Sequence, residues 1–90
     1  MSPPKIVIYT TQWCPYCSRA RSLLQSKGVP FEEINIDSRP DAHAEMVARS
    51  GRHTVPQIFI GEVHVGGCDD LMAREAAGML DSLINPRNAS

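Results

Sequence analysis

The chain begins its legible pattern with an unbroken apolar and β-branched run, Ile6-Val7-Ile8-Tyr9-Thr10. A run without alternation is what a central strand carries when both of its faces are covered, so residues 6–10 are read as the first strand. Pro15 then suits the first turn of a helix, Ala20, Leu23 and Leu24 recur at helical spacing, and Gly28 with Pro30 supplies the stop. This places Cys14 at the N-cap. Residues 31–37 alternate around Ile34 and Ile36, which predicts a second strand returning parallel to the first through the helical crossover.

Further on, Ser38-Arg39-Pro40-Asp41 has the form of a capping box with proline in the first turn. Ala42, Met46 and Val47 then share one face of a short helix that Gly51 ends. Val55-Pro56 leads into a strand at 57–60, the turn pair Gly61-Glu62, and a partner strand carrying Val63 and Val65, which together read as a β-hairpin. Asp69 and Asp70 put negative charge at the start of a final helix with the apolar stripe Met72, Ala76, Met79, Leu80, Leu83 and Ile84. Asn85-Pro86 closes that helix and residues 87–90 fray. The order β-α-β-α-β-β-α predicts an α/β fold, a mixed sheet with helices on its faces.

Ninety residues hold one domain with one modest core, taken to span about residues 5–85 of the 90. Apolar residues at 42% and charged residues at 21% fit a soluble globular chain. A formal net charge of -1, with the two signs interspersed, argues against nucleic acid or anionic lipid as a partner. The apolar run at 6–9 is too short for a signal peptide or a membrane span. Three cysteines, two of them spaced C-x-x-C, fit a reactive pair in a reducing compartment, so the cytoplasm is the expected location.

The chemistry is concentrated at Cys14-Pro15-Tyr16-Cys17. A strand end that runs into a helix N-terminus offers unpaired N–H groups and the positive end of the macrodipole, and a thiolate is an anion suited to that place. Cys14 is therefore the expected nucleophile. Cys17, one turn further in, reaches the same sulfur and is the expected resolving thiol. Pro15 stiffens the turn, and Tyr16 offers a ring edge and a hydroxyl beside the nucleophile. Zinc is not expected, because tetrahedral binding wants four ligands and Cys68, His43, His53 and His64 are dispersed along the chain. Inert core cysteines are disfavoured by the polar and charged residues around the motif.

A second feature is Thr54-Val55-Pro56. A proline opening a strand holds a cis bond at a cost of only about 0.5–1 kcal/mol, which leaves the neighbouring backbone free to pair with an extended peptide-like substrate; an ordinary trans proline is the alternative. The third is Gly67-Cys68-Asp69, a helix start able to receive an anion through its N–H groups, with plain helix capping by Asp69 and Asp70 as the alternative. Cys68 reads as a small semi-buried residue at that helix start rather than as a second reactive thiol.

Taken together, Cys14-Pro15-Tyr16-Cys17, Thr54-Val55-Pro56-Gln57-Ile58-Phe59-Ile60 and Gly66-Gly67-Cys68-Asp69-Asp70-Leu71 resemble the dithiol glutaredoxins of bacterial type, over essentially the whole chain. The resemblance implies a thioredoxin-like fold, a four-stranded mixed β-sheet flanked by three helices, and a monomer that reduces glutathione mixed disulfides and protein disulfides with glutathione as cosubstrate. By the same resemblance, Cys14 is nucleophile and Cys17 resolver, Tyr16 walls the glutathione site, Val55 pairs with glutathione through its main chain, Pro56 is cis and Thr54 supports the loop. Gly67, Cys68 and Asp69 would receive the γ-glutamyl end. Thr11 holds the binding position where members of the family often carry a basic residue, which shifts the glycyl carboxylate toward Arg52 or His53. Two other readings stand beside this one: a reductant fed by a flavoenzyme, and an iron-sulfur or metal-binding module.

Overall fold

The computed structural model describes residues 4–84. Its elements are β1 (Ile6–Thr10), α1 (Pro15–Ser26), β2 (Glu32–Asn35), α2 (Pro40–Ser50), β3 (Gln57–Ile60), β4 (Val63–Gly66), α3 (Cys68–Ala76) and α4 (Leu80–Ile84). One four-stranded sheet has the order β2-β1-β3-β4, with β1 parallel to β2 and antiparallel to β3, and β3 antiparallel to β4. This is the mixed sheet the element order predicts.

Both faces of β1 are covered, which is why its sequence shows no alternation. Ile6 and Ile8 join Ile58 and Ile60 against Ala20 and Leu24 of α1, Leu71 of α3, and Leu80 and Ile84 of α4. Val7 and Tyr9 join Phe59 of β3 and Ile34 of β2 against Ala42 and Met46 of α2. The pleat sends successive side chains to opposite faces, so a single strand feeds both cores. At about 25 cal/mol per Å² of apolar area withdrawn from water, these two layers are the main favourable contribution to folding.

Three expectations are corrected in detail. Strand β2 is shorter than residues 31–37, because Asn35 Oδ1 accepts from the amides of Asp37 at 2.8 Å and Ser38 at 3.2 Å and turns the chain. The same turn occupies the Ser38 amide, so no capping box forms there; Arg39 is the N-cap of α2 and gives it no side-chain hydrogen bond. The single final helix is in fact two. Gly78 adopts φ 72°, ending the α3 turn after Ala76 and redirecting the chain so that Leu80 and Ile84 are buried while Met79 stays 55% exposed. The helix closure at Asn85-Pro86 and the fraying of residues 87–90 lie outside the described residues.

Candidate active site

Strand β1 delivers the chain through Thr11-Gln12-Trp13 to the first turn of α1. Cys14 occupies the N-cap in an extended conformation with Pro15 at N1, and its Sγ accepts from the backbone amide of Cys17 at 3.2 Å. A sulfur thus takes the capping role that a Ser or Asp oxygen ordinarily fills. Cys14 is partly exposed and Cys17 fully buried. Burial pushes the Cys17 thiol up to about 12, the contact with Cys14 adds to this, and the Thr11 backbone pulls the other way. All three cysteines are free thiols.

The Val55–Pro56 bond is cis, as the sequence allowed. It lies beside the motif: the Cys14 thiol is 3.9 Å from the Val55 carbonyl, a weak sulfur hydrogen bond. On the third side, Gly67 is the N-cap of α3, and its amide donates to Asp70 Oδ2 at 3.0 Å. Only this arm of a capping box exists, since glycine has no side chain to return the contact. Arg52 Nη1 donates to the same carboxylate oxygen at 3.2 Å. The Gly67 amide and the Arg52 guanidinium hold the Asp70 carboxyl below its ordinary range.

These segments enclose a groove of about 220 Å³ lined by Tyr16, Arg52, Thr54, Val55, Pro56, Gly67, Cys68, Asp69 and Asp70. Three distant stretches of sequence therefore meet beside Cys14. Thr11 is not among the lining residues, although its backbone faces Cys17. Nor is His53, which packs edge-on to His43. Cys68 is buried at the groove's edge, and burial, followed by the charge of Asp69, raises its thiol. Trp13, at 87% exposure, packs against little and stands out into solvent next to Cys14. Among the described residues, no three His, Cys, Asp or Glu side chains gather as metal ligands would.

Comparison with known proteins decides the family. The glutaredoxin family model matches residues 6–65. A glutaredoxin of Pseudomonas aeruginosa is 61% identical over 82 residues, 91% of this chain and 98% of that protein. The chain belongs to the glutaredoxin family. Its activity is that of a thiol-disulfide oxidoreductase. Among solved structures, the solution structure of the Brucella melitensis glutaredoxin superposes with a TM-score of 0.81 at 57% identity, covering 93% of this chain and 91% of that one. The buckwheat glutaredoxin, solved as a complex with glutathione, gives a TM-score of 0.84 at 32% identity, covering 93% of this chain and 78% of that one.

Within this glutaredoxin, sequence reasoning missed part of the framework of the site. Gln57 is fully buried and donates through Nε2 to the Thr54 carbonyl at 3.0 Å and the Thr54 hydroxyl at 3.2 Å. Its Oε1 meets His64 Nε2 at 2.8 Å. The signal available was a polar residue inside an otherwise apolar strand, where a hydrogen-bond partner is obligatory. Asp70, read from sequence only as a helix cap, also lines the groove.

Proposed function

We propose that this glutaredoxin reduces glutathione mixed disulfides and protein disulfides through Cys14 and Cys17, with glutathione held in the groove between Tyr16, the Thr54-Val55-Pro56 loop and the start of α3. The carrying observation is the placement of Cys14 Sγ: it caps α1, takes the Cys17 amide, and opens beside the Val55 backbone. Negative charge on that sulfur meets an N–H donor and the positive end of a helix.

In the proposed cycle, the Cys14 thiolate attacks the glutathionyl sulfur of a mixed disulfide. The protein thiolate leaves and takes a proton from solvent, and the glutathionyl group stays on Cys14. A second glutathione, as thiolate, attacks that bond and leaves as glutathione disulfide, restoring the Cys14 thiolate. With a protein disulfide, Cys14 forms a mixed disulfide with one substrate sulfur. Cys17 gives up its proton and attacks Cys14, and the substrate leaves as a dithiol. Two glutathiones then reduce the Cys14–Cys17 disulfide. The high proton affinity of Cys17 supports this order, because a protonated thiol waits until the mixed disulfide forms beside it.

The groove supports the binding half of the reading. Val55 offers main-chain groups of the kind that pair with an extended γ-glutamyl-cysteinyl-glycine backbone, the Gly67-Cys68-Asp69 start of α3 offers N–H donors to one carboxylate, and Arg52 offers a cation to the other. Arg52 is already paired with Asp70, so it would be shared rather than free. The odd cysteine count and the C-x-x-C pair of free thiols, with Cys14 partly exposed, support a reducing compartment, the cytoplasm, and no described helix is long and apolar enough to cross a membrane.

The test uses two variants and two substrates. Cys14→Ser is expected to abolish glutathione-dependent reduction of both a glutathionylated peptide and a protein disulfide. Cys17→Ser is expected to keep the first and lose the second. Retention of activity by Cys14→Ser overturns the assignment.

A further inference from the structure

The loop whose backbone lies against Cys14 is held from behind by a short polar chain that the reaction itself does not use. Gln57 Nε2 contacts both the carbonyl and the hydroxyl of Thr54, and a carbonyl only accepts, so this end of the amide is the nitrogen. The other end is then the oxygen, and the atom 2.8 Å from it, His64 Nε2, has to carry a hydrogen. The network thus assigns the tautomer of His64, with a direction of donation from His64 to Gln57 to Thr54.

His64 is itself tightly held. Its ring stacks on Phe59 at 4.8 Å between centroids and 26° between planes. The Arg49 guanidinium lies 4.1 Å from the Phe59 ring centroid, and Arg49 Nη1 donates to the Tyr9 hydroxyl at 3.0 Å. That hydroxyl in turn donates to Glu45 Oε2 at 2.6 Å. The hydrogen-bonded chain thus runs from His64 on β4 through Gln57 on β3 to Thr54, one residue before Val55, and the Phe59 ring packs its His64 end against Arg49 of α2.

We infer that His64 and Gln57 are positioning residues that fix the Thr54-Val55 backbone in register for glutathionyl substrates. They touch no reacting atom; they act through the loop. The inference rests on the reading that Val55 pairs with the glutathionyl backbone. It makes a distinct claim: removing the relay weakens capture of a glutathionyl substrate and leaves the chemistry at Cys14 alone. An apolar side chain at position 57 would fill the same space without orienting the Thr54 carbonyl.

The experiment compares Gln57→Met, which keeps length but donates nothing, with His64→Phe, which keeps the stack on Phe59 but removes the donor, and with the double variant. Steady-state reduction of a glutathionylated peptide by excess glutathione is expected to show KM raised about tenfold in Gln57→Met and severalfold in His64→Phe, with kcat within about twofold. The double variant is expected to match Gln57→Met, because His64 acts through Gln57. Alkylation of Cys14 by iodoacetamide should proceed at an unchanged rate in all three. His64→Gln, which keeps an N–H donor, should recover part of the KM. An unchanged KM in Gln57→Met, or effects that multiply in the double variant, overturns the relay. Thermal melts accompany each variant. Should Gln57→Met fail to fold, His64→Phe decides alone, a raised KM supporting the relay and an unchanged KM overturning it. Loss of activity in Cys14→Ser with an unchanged KM in Gln57→Met sinks only the relay; retained activity in Cys14→Ser sinks the reading beneath it.

Discussion

The backbone amide of Cys17 donates to the sulfur of Cys14 at 3.2 Å, so two thiols on one helical turn occupy opposite chemical situations. Cys14 sits partly exposed at the helix terminus, 3.9 Å from the carbonyl of the groove residue Val55, whereas the Cys17 side chain points into the core and is held up at about 12 by burial. The proposed division into an attacking and a waiting thiol rests on this contrast.

That inequality predicts selective alkylation. The reduced native protein treated with iodoacetamide near neutral pH should gain one adduct, on Cys14. Cys17 is fully buried and Cys68 nearly so, with both thiols raised, and each should react only after denaturation. Peptide mapping by mass spectrometry reads the site; a native adduct on Cys17 contradicts the geometry.

It also predicts a loss of stability in alkali for the reduced protein. Cys17 is raised in the folded state, so below the ordinary thiol range both folded and unfolded chains hold the proton and its contribution is complete. Between about 8.5 and about 12 the unfolded chain releases that proton and the folded chain does not, so stability falls as pH rises, by at most about 1.4 kcal/mol per pH unit. Cys68, also raised by burial, adds to the fall from the ordinary thiol range upward, and Tyr9, raised by burial and by Glu45, adds only above about 10. Urea midpoints of the reduced protein should therefore drop from about pH 8.5 onward, and Cys17→Ser should flatten the first part of that slope.

Much of this site is legible in the sequence because its residues are constrained by backbone geometry. The unalternated run of β1 reports a strand covered on both faces, and Pro15 and Gly28 mark the limits of a helix whose N-cap is therefore Cys14. What stays hidden depends on which polar groups the folded backbone turns toward one another. Gln57 meets His64 only after β3 and β4 pair, and nothing in the spacing of 54, 57 and 64 announces a polar chain. Ser38 looks like a helix cap until Asn35 takes its amide. Arg52 and Asp70, 18 residues apart, meet because β3 and β4 return the chain to the same end of the sheet.

Gly66 is expected to be intolerant of any side chain. Its φ is 117°, and a Cβ there would run into the Asp70 carboxylate. Gly66→Ala should cost about 1–3 kcal/mol and displace Asp70 from the Gly67 amide, opening the α3 side of the groove. A lowered thermal midpoint with a raised KM for glutathione checks this. Part of the Asp70 contribution depends on acid: its carboxyl is lowered in the folded state, so the stabilisation is complete above the ordinary carboxylate range and disappears as pH falls through the lowered value. Gly66→Ala should accordingly lose less stability than the parent between neutral pH and acid.

Gly78 gives a prediction whose sign alone decides between one helix and two. Were residues 68–84 a single continuous helix, Gly78→Ala would stabilise the protein by about 0.5–1 kcal/mol, since alanine outranks glycine in a helix interior. The structure instead puts Gly78 at φ 72°, where an L side chain is strained even though no atom lies within 4 Å of the added Cβ. Gly78→Ala should therefore destabilise by about 1–2 kcal/mol. The amide of Gly78 donates to the Glu75 carbonyl and that of Met79 to the Arg74 carbonyl, so the turn is a built helix end rather than a frayed one. Denaturant unfolding of the single variant settles the sign, and a gain in stability would mean that Leu80 and Ile84 reach the core along one unbroken helix.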